Sequence, residues 1–473
     1  MKTALYWFAR DLRIHDNPAL AACAAAHDSV YAVFCLAELR HLNSRQRNFV
    51  ISSLHELRAA LAKRNATLTL LDGEIGVAIS GCARRLGASA VWAAGAYARS
   101  ERQRQAAAAG SLADAGIALH LGDGDVVHQP ESVAQAKQAP GEGYRVFPPF
   151  YEAWKALEVA PAGADAWPNG YDAVCGPLPE RELAGELRNV RLQPAPGERA
   201  ALQAVQAFAA SRAADYAVNG QYPSRNGTSQ LSAALRFGCV SARTLYRALS
   251  VRMTRSWVLA QERLSMQAFL RKLALRDFFI HLAYFAPEVH DVELQEKMRG
   301  FAWSADAHNL RLWVNGATGY PLVDAAMRQL RVDGHVHQRA AAVAASFCCF
   351  DLGLDWRLGR DVWMSSLVAA DEALCDGNWQ WIAGVGSDQA AYPRIYNPLK
   401  QARYFDAQAV YVRRYCPELA KLPTAAALEP WQLARQQQVE FDFYTPGSYP
   451  RPVVEHEHAA RSALARYHEY RER

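Results

Sequence analysis

The chain has 473 residues, 51% apolar and 21% charged, with 52 Lys and Arg against 47 Asp and Glu. That length asks for two or three domains with large cores, and the composition excludes a disordered or fibrous chain. The net charge of +5 permits a polyanionic partner without requiring one.

No run of about 20 apolar residues occurs, so no membrane helix is expected. Met1-Lys2-Thr3 leads straight into a strand-like segment without a signal-peptide pattern, and the expected compartment is the cytoplasm. The nine cysteines are scattered with no CxxC pair, which argues against zinc, an iron–sulfur cluster or a disulfide framework. The chain is taken as a monomer.

Residues 1–127 alternate short β-rich runs with helical patterns. Strands are expected at Ala4–Phe8, Val30–Leu36, Thr67–Leu71, Ala90–Ala94 and Ala118–Leu121, and helices at Arg45–Lys63 and Tyr97–Ala113. This is the pattern of a doubly wound parallel α/β sheet. The first strand is followed by Ala9-Arg10-Asp11-Leu12-Arg13 and not by GxGxxG, so a dinucleotide has no glycine cradle there. Residues 128–199 are rich in proline and read as a connector wrapping the surface, with one sticky piece at Tyr144–Trp154. From 200 to 473 helical periodicity dominates and an all-α domain is expected. Tyr320-Pro321 opens one helix, and Arg339–Phe350 reads as another, buried on most sides.

Asn226-Gly227-Thr228-Ser229-Gln230-Leu231-Ser232 precedes an apolar helical run. Free N–H groups and hydroxyls at a helix start suit an anion, although such a pattern is also an ordinary N-cap. The stretch Met364–Pro398 is the densest in chemistry: an acid, a thiol and two indoles fall between Asp371 and Trp381. A helix break is expected at Asp376-Gly377-Asn378.

These residues carry a resemblance to the photolyase/cryptochrome family of flavoproteins over essentially the full length. Its carriers are WFARDLRIHDNPAL, NGTSQLS, WVNGATGYPLVDAAMRQL, DWRLGRDVWMSSL, GNWQWIAGVGSD and YPRIYNP. The resemblance implies an α/β domain, a linker and a helical domain holding FAD. It implies FAD contacts at Tyr216, Thr228, Ser229, Gln230, Leu231, Ser232, Arg276, Gln338, Arg339 and Asp371, with Cys375 facing flavin N5. Trp379, Trp356 and Trp303 match the proximal, middle and distal members of an electron relay.

The departures from the family pattern matter as much. In the substrate cavity Trp381 is kept, but its stacking partner matches Leu275. The lesion-holding Glu matches Lys272, which reverses the charge and offers only donors. The cavity Met matches Ala342, and the Asn before Arg339 has become Gln338. The (6-4) enzymes' histidine pair would need His at 338 and 342. The family's buried Arg–Asp pair matches Ala341 and Ala369, both partners lost together. Cys375, where most photolyases have Asn, resembles insect cryptochromes. Gly220 replaces a common Arg, and Glu101 matches a folate-antenna carboxylate. The implied function is a blue-light-absorbing, cryptochrome-like FAD protein that lacks efficient dimer repair by the usual residues and is open to DNA. The alternative is a light-driven DNA photolyase with altered lesion contacts. The sequence names no signalling partner.

Overall fold

The computed structural model describes residues 2–136, 142–163, 195–387, 393–433 and 449–472. In chain order the first helices are α1 (Pro18–Ala26), α2 (Ser44–Ala62), α3 (Ile75–Arg85), α4 (Arg99–Ala113), α5 (Pro130–Ala134), α6 (Phe147–Ala156) and α7 (Glu198–Ala210). They are followed by α8 (Tyr216–Asn219), α9 (Ser232–Arg236), α10 (Ala242–Met253), α11 (Ala260–Phe285) and α12 (Ala307–Val314). Next come α13 (Pro321–Asp333), α14 (Gln338–Ser346), α15 (Trp356–Ser366) and α16 (Glu372–Ala383), and the chain closes on a helix at His456–Glu472. Two compact units emerge. The first is Met1–Ala214, Ser229–Pro287 and Val368–Ala373; the second is Asp215–Thr228, Glu288–Leu367 and Leu374–Arg473.

The first unit holds a five-stranded parallel sheet, ordered β3-β2-β1-β4-β5. Its strands are β1 (Thr3–Phe8), β2 (Ser29–Cys35), β3 (Leu68–Leu71), β4 (Ala90–Ala94) and β5 (Ala118–Gly122). All five expected strands are present within a residue or two. The central strand is apolar on both faces because helices cover both, and Ala4 through Phe8 are buried. Strand order reverses between β1 and β4, which sets the chain after β1 beside the start of α4. That is how Arg10 and Glu101 become neighbours.

Helices α1 and α3 went unread in the sequence. α1 is set by Asn17, whose side chain accepts from the Leu20 N–H, with Pro18 at its first position. The sticky piece of the connector is largely helical, forming α6. Trp154 on α6 donates its indole N–H to Asp277 of α11 at 3.0 Å, and the Val127 N–H donates to the same carboxylate at 2.8 Å. Burial pushes the Asp277 carboxyl up to about 6, with Arg276 opposing that rise. The rest of the connector, from 164 to 194, lies outside the described residues, as do Asp388 and Tyr392 of the quoted motifs.

In the second unit α13 begins at Pro321 as expected and ends at Gly334, whose φ of 61° closes the helix in the left-handed region. The helix expected over Arg339–Phe350 is α14 followed by one wider π turn at Phe347–Asp351.

The expected break at Asp376-Gly377-Asn378 does not occur; α16 runs through it. Tertiary bonds override the weak propensity of those residues. The Gln380 amide donates to the carbonyls of Val289 at 2.7 Å and Val292 at 2.9 Å, and its oxygen accepts the Leu294 N–H at 2.8 Å. Trp379 is buried alongside it.

Candidate functional site

The residues implied for FAD are divided between the two units. In the second unit Tyr216 is buried, and burial raises its phenol above the ordinary value while Gln338 opposes the rise. A side chain at Gly220 would meet the Tyr216 ring, so the substitution of the family's Arg by Gly leaves the ring close to the turn. Gly227 approaches the backbone of Asn219 and Gly220 so closely that no Cβ would fit. The loop before Thr228 is therefore folded back on the turn that carries Tyr216.

Gln338 and Arg339 open α14 and are anchored to that same turn. Gln338 Nε2 donates to the Gly220 carbonyl at 3.1 Å, and Arg339 Nη2 donates to Gln221 at 2.6 Å. The Arg339 guanidinium lies over Phe405 at 4.4 Å, and its Nε is buried with no partner among the described residues. Tyr216, Gln338 and Arg339 thus come together.

In the first unit Ser229, Gln230 and Leu231 form a tight bend. Gln230 takes a φ of 61°, uncommon for a residue with a side chain. The Ser229 hydroxyl accepts the Leu231 N–H at 3.4 Å. The helix that follows is much shorter than its apolar pattern suggests. It spans Ser232–Arg236, is capped by Leu231, and gives way to Gly238 at φ 61°. Gly238 has no Cβ to hold it off the Arg10 carbonyl, and Leu12 N–H donates to the Phe237 carbonyl at 3.1 Å. Residues 10–13 and 236–238 therefore run side by side.

Arg276 spends its donors locally, on the Asp125 carbonyl at 2.9 Å and on Asp277 at 3.2 Å. Asp371 is 2% exposed and sits just before α16, bonded by Arg10 at 2.8 Å and approached by Arg236 at 3.5 Å. Cys375, one turn into α16, is a buried cysteine.

The relay residues lie in the second unit, on elements that touch. Trp379 and Trp356 are 1% and 0% exposed, whereas Trp303 is half-buried. Trp379 packs its benzo ring where a Gly359 side chain would stand, one helical turn after Trp356 on α15. Trp303 precedes a backbone bridge in which Ser304 pairs with Leu354, two residues before Trp356. Trp379 and Trp356 are thus both interior, and Trp303 alone of the three reaches towards the surface.

Trp356 donates its indole N–H to the buried Glu293 at 3.3 Å, and the guanidiniums of Arg357 and Arg360 lie over its ring at 4.6 and 5.2 Å. Arg360 is paired to Asp376, next to Cys375, at 3.1 Å. Burial works against the Arg360 charge, but Asp376 and Asp361 outweigh it and raise its pKa.

Sequence reasoning missed two further indoles. Trp363 meets Trp379 edge-on at 4.9 Å between centroids, and Trp313 does so at 6.0 Å. The signal for Trp363 was its spacing, two turns after Trp356. It also gave no role to Arg10 or Arg236.

The cavity residues are placed as follows. Lys272 is exposed and Leu275 half-buried on α11, in the first unit. Ala342 and Trp381 are half-buried in the second, and Arg394 lies 5.9 Å from the Trp381 ring. Ala341 and Ala369 leave no buried charge stranded.

Glu101 is not an open antenna ligand. Both its oxygens are taken, one by Arg10 and one by Arg236 at 3.0 Å, and the cavity beside it measures about 50 Å³. A pterin needs a free carboxylate and far more room, so no step is derived through an antenna at this residue.

The fit to FAD is better. Buried donors without partners among the described residues occur at Arg339 Nε, Arg236 Nη1 and Trp379 Nε1. In the second unit Arg339 and Trp379 accompany a glycine loop pressed onto backbone, and in the first Arg236 accompanies a buried acid. Such donors suit a ligand rich in phosphate, carbonyl and ring-nitrogen acceptors. Among the described residues no three or more His, Cys, Asp or Glu gather to hold a metal. No helix among them is long and apolar enough to cross a membrane.

Comparison with known proteins gives a consistent answer. The family description "FAD binding domain of DNA photolyase" matches residues 269–469, and "DNA photolyase" matches residues 4–168. A deoxyribodipyrimidine photo-lyase of Alkalihalophilus pseudofirmus is 31% identical over 471 residues, covering 97% of this chain and 96% of that protein. Among solved structures, a bacterial class III photolyase from Agrobacterium tumefaciens aligns with a TM-score of 0.88 at 28% identity, covering 100% of this chain and 98% of its own. A Synechocystis cryptochrome also gives 0.88, at 26% identity, with 99% of each chain covered.

Proposed function

The chain belongs to the photolyase/cryptochrome family of FAD-binding proteins, and from that premise we propose that it is a blue-light-absorbing, cryptochrome-like flavoprotein without efficient repair of cyclobutane dimers by the usual residues. The observation that carries this reading is a contrast. Indoles stand at all three positions matched to the family's relay, two buried and one half-buried, while an exposed Lys272 stands at the position matched to the lesion-holding Glu.

FAD, when bound, supplies blue-light absorption and electron acceptance. The chain supplies placement and electrostatics. Tyr216, Thr228, Ser229, Gln230, Leu231, Ser232, Gln338 and Arg339 would hold the phosphate and adenosine side of the cofactor; Arg276 braces the loop at Asp125; and Asp371 would face the polar edge of the ring. Trp379, Trp356 and Trp303 conduct an oxidising equivalent outward, because indole is uncharged and easily oxidised. Glu293 accepts from Trp356 and holds a carboxylate beside the middle indole, offsetting the two arginines stacked on it. Cys375 presents a thiol, a weaker donor and acceptor than an amide, to N5.

Repair of a dimer calls for flipping the two linked bases of one strand out of the duplex, stacking on aromatic faces and an acceptor on the lesion. Lys272, Leu275 and Ala342 leave Trp381 alone in that task. A lysine ammonium cannot accept a hydrogen bond. DNA phosphates can still meet the basic surface.

The second reading, a DNA photolyase with altered lesion contacts, is favoured by the names of the curated relatives. One experiment separates the two: blue illumination of the purified protein with absorbance recording, then a repair assay on dimer-containing DNA after full reduction. Flavin bleaching without repair is the expected result. Repair at rates typical of photolyases would establish the second reading instead.

A further inference from the structure

Four charged side chains of the first unit form a closed ring, of which the functional reading uses only Asp371. Arg10 follows β1, Glu101 lies in the first turn of α4, Arg236 ends α9, and Asp371 precedes α16. Arg10 bonds Glu101 through Nη1 and Asp371 through Nη2, the latter at 2.8 Å. Arg236 reaches Glu101 through Nη2 at 3.0 Å and Asp371 through Nε at 3.5 Å. Positive and negative groups alternate around the ring, with side-chain exposures of 21% for Arg10, 8% for Glu101, 11% for Arg236 and 3% for Asp371.

The backbone around Asp371 is pinned as well. Arg236 Nε donates to the Ala370 carbonyl at 2.6 Å, Gln46 Nε2 donates to the same oxygen at 2.8 Å, and the Ser100 N–H donates to Glu372 at 3.3 Å. Burial pushes the Glu101 carboxyl up, but Arg10 and Arg236 outweigh it and hold it below the usual range. Two guanidiniums face two carboxylates, so the formal charges of the four side chains sum to zero. Loss of any one leaves an uncompensated charge where screening is weak.

We propose that Arg10, Arg236 and Glu101 are positioning residues for Asp371 that set the reduction potential of FAD from outside the matched FAD-binding segment. The inference rests on the reading of Asp371 as the acid at the flavin's polar edge. With the ring complete, the field of the Asp371 carboxylate is cancelled close to its source. Without Arg236 a net negative charge remains beside the flavin and opposes the arrival of an electron. Without the Glu101 charge a net positive one remains and favours it. Glu101, matched by sequence to an antenna carboxylate, serves instead to hold the two arginines.

The test compares the full-length, FAD-loaded protein with Arg236→Gln, Glu101→Gln and the double variant, by reductive titration against a reference dye. The midpoint potential is expected to fall in Arg236→Gln, to rise in Glu101→Gln and to return to the wild-type value in the double variant. Arg236→Lys, which keeps the charge, should restore most of the potential lost in Arg236→Gln. Shifts of the same sign in both single variants, or no shift in either, would overturn the proposal, because a mere loosening of the fold has no charge sign.

A second readout needs no flavin. Urea unfolding of the flavin-free proteins should show strong non-additivity between the two substitutions, and additive effects would refute the ring itself. Wild-type protein that purifies and reconstitutes without flavin would sink the functional reading, while the unfolding cycle would still judge the ring.

Discussion

Trp379 occupies the space that a side chain at Gly359 would need. That relationship fixes this buried indole against the backbone of α15, one turn from Trp356, and makes a glycine part of the geometry of the proposed relay.

Gly359→Ala is therefore expected to displace Trp379. An added methyl in a packed core costs about 1–3 kcal/mol, and the displaced indole should slow photoreduction of the bound flavin. Urea unfolding together with the rate of flavin bleaching under blue light checks both effects. Unchanged bleaching would mean that Trp379 tolerates a shift.

Trp379→Phe should remove most of the photoreduction while leaving FAD content unchanged. Trp356→Phe should do the same unless the indole of Trp363, 4.9 Å from Trp379 between centroids, supplies a branch. Bleaching rates of the two single variants and of Trp356→Phe combined with Trp363→Phe separate these routes. Undiminished bleaching in Trp379→Phe would show the relay assignment to be wrong.

Cys375→Asn replaces a buried thiol by an amide that both donates and accepts. The illuminated spectrum is expected to move towards protonated and more fully reduced flavin. A spectrum identical to wild type would remove N5 from the thiol's role.

Asp277 offers a pH test of the linker's attachment. Its carboxyl is raised by burial from 3.8 to about 6, so the folded form holds the proton more tightly than the unfolded chain. Its contribution to stability is greatest below the lower value and is lost as pH rises towards the upper one, by about 3 kcal/mol. Asp277→Asn should flatten the decline in unfolding free energy between about pH 4 and pH 6. An unaltered slope would place the effect elsewhere.

Much of the fold could be read from the chain because its signals are local. The apolar runs that become β1 to β4 and the Pro321 helix start are period and capping effects, and both appear where expected. The reading failed where distant atoms decide. Asp376-Gly377-Asn378 looks like a break, yet Gln380 is held by three backbone groups from residues 289–294, and the helix runs on. The segment after Ser232 reads as a helical run without a stated end, and close approach of Gly238 to residue 10 ends it after five residues.

The site divides in the same way. Motif residues carry chemistry that sequence alone can suggest, such as the indoles of Trp379 and Trp356. The role of Arg236 depends on Arg10, Glu101 and Asp371, which are 226, 135 and 135 positions away. No spacing rule links them.

The first turn of α16 is counted with the sheet-bearing unit and the remainder with the helical one. Severing the chain near residue 200 would therefore strip Asp371 of Arg10 and its neighbouring carbonyl of Gln46, and leave Arg236 without Glu101. A truncated helical half expressed by itself would carry a frayed α16 start just ahead of Cys375, so the two halves are not separable at that point without loosening the helix.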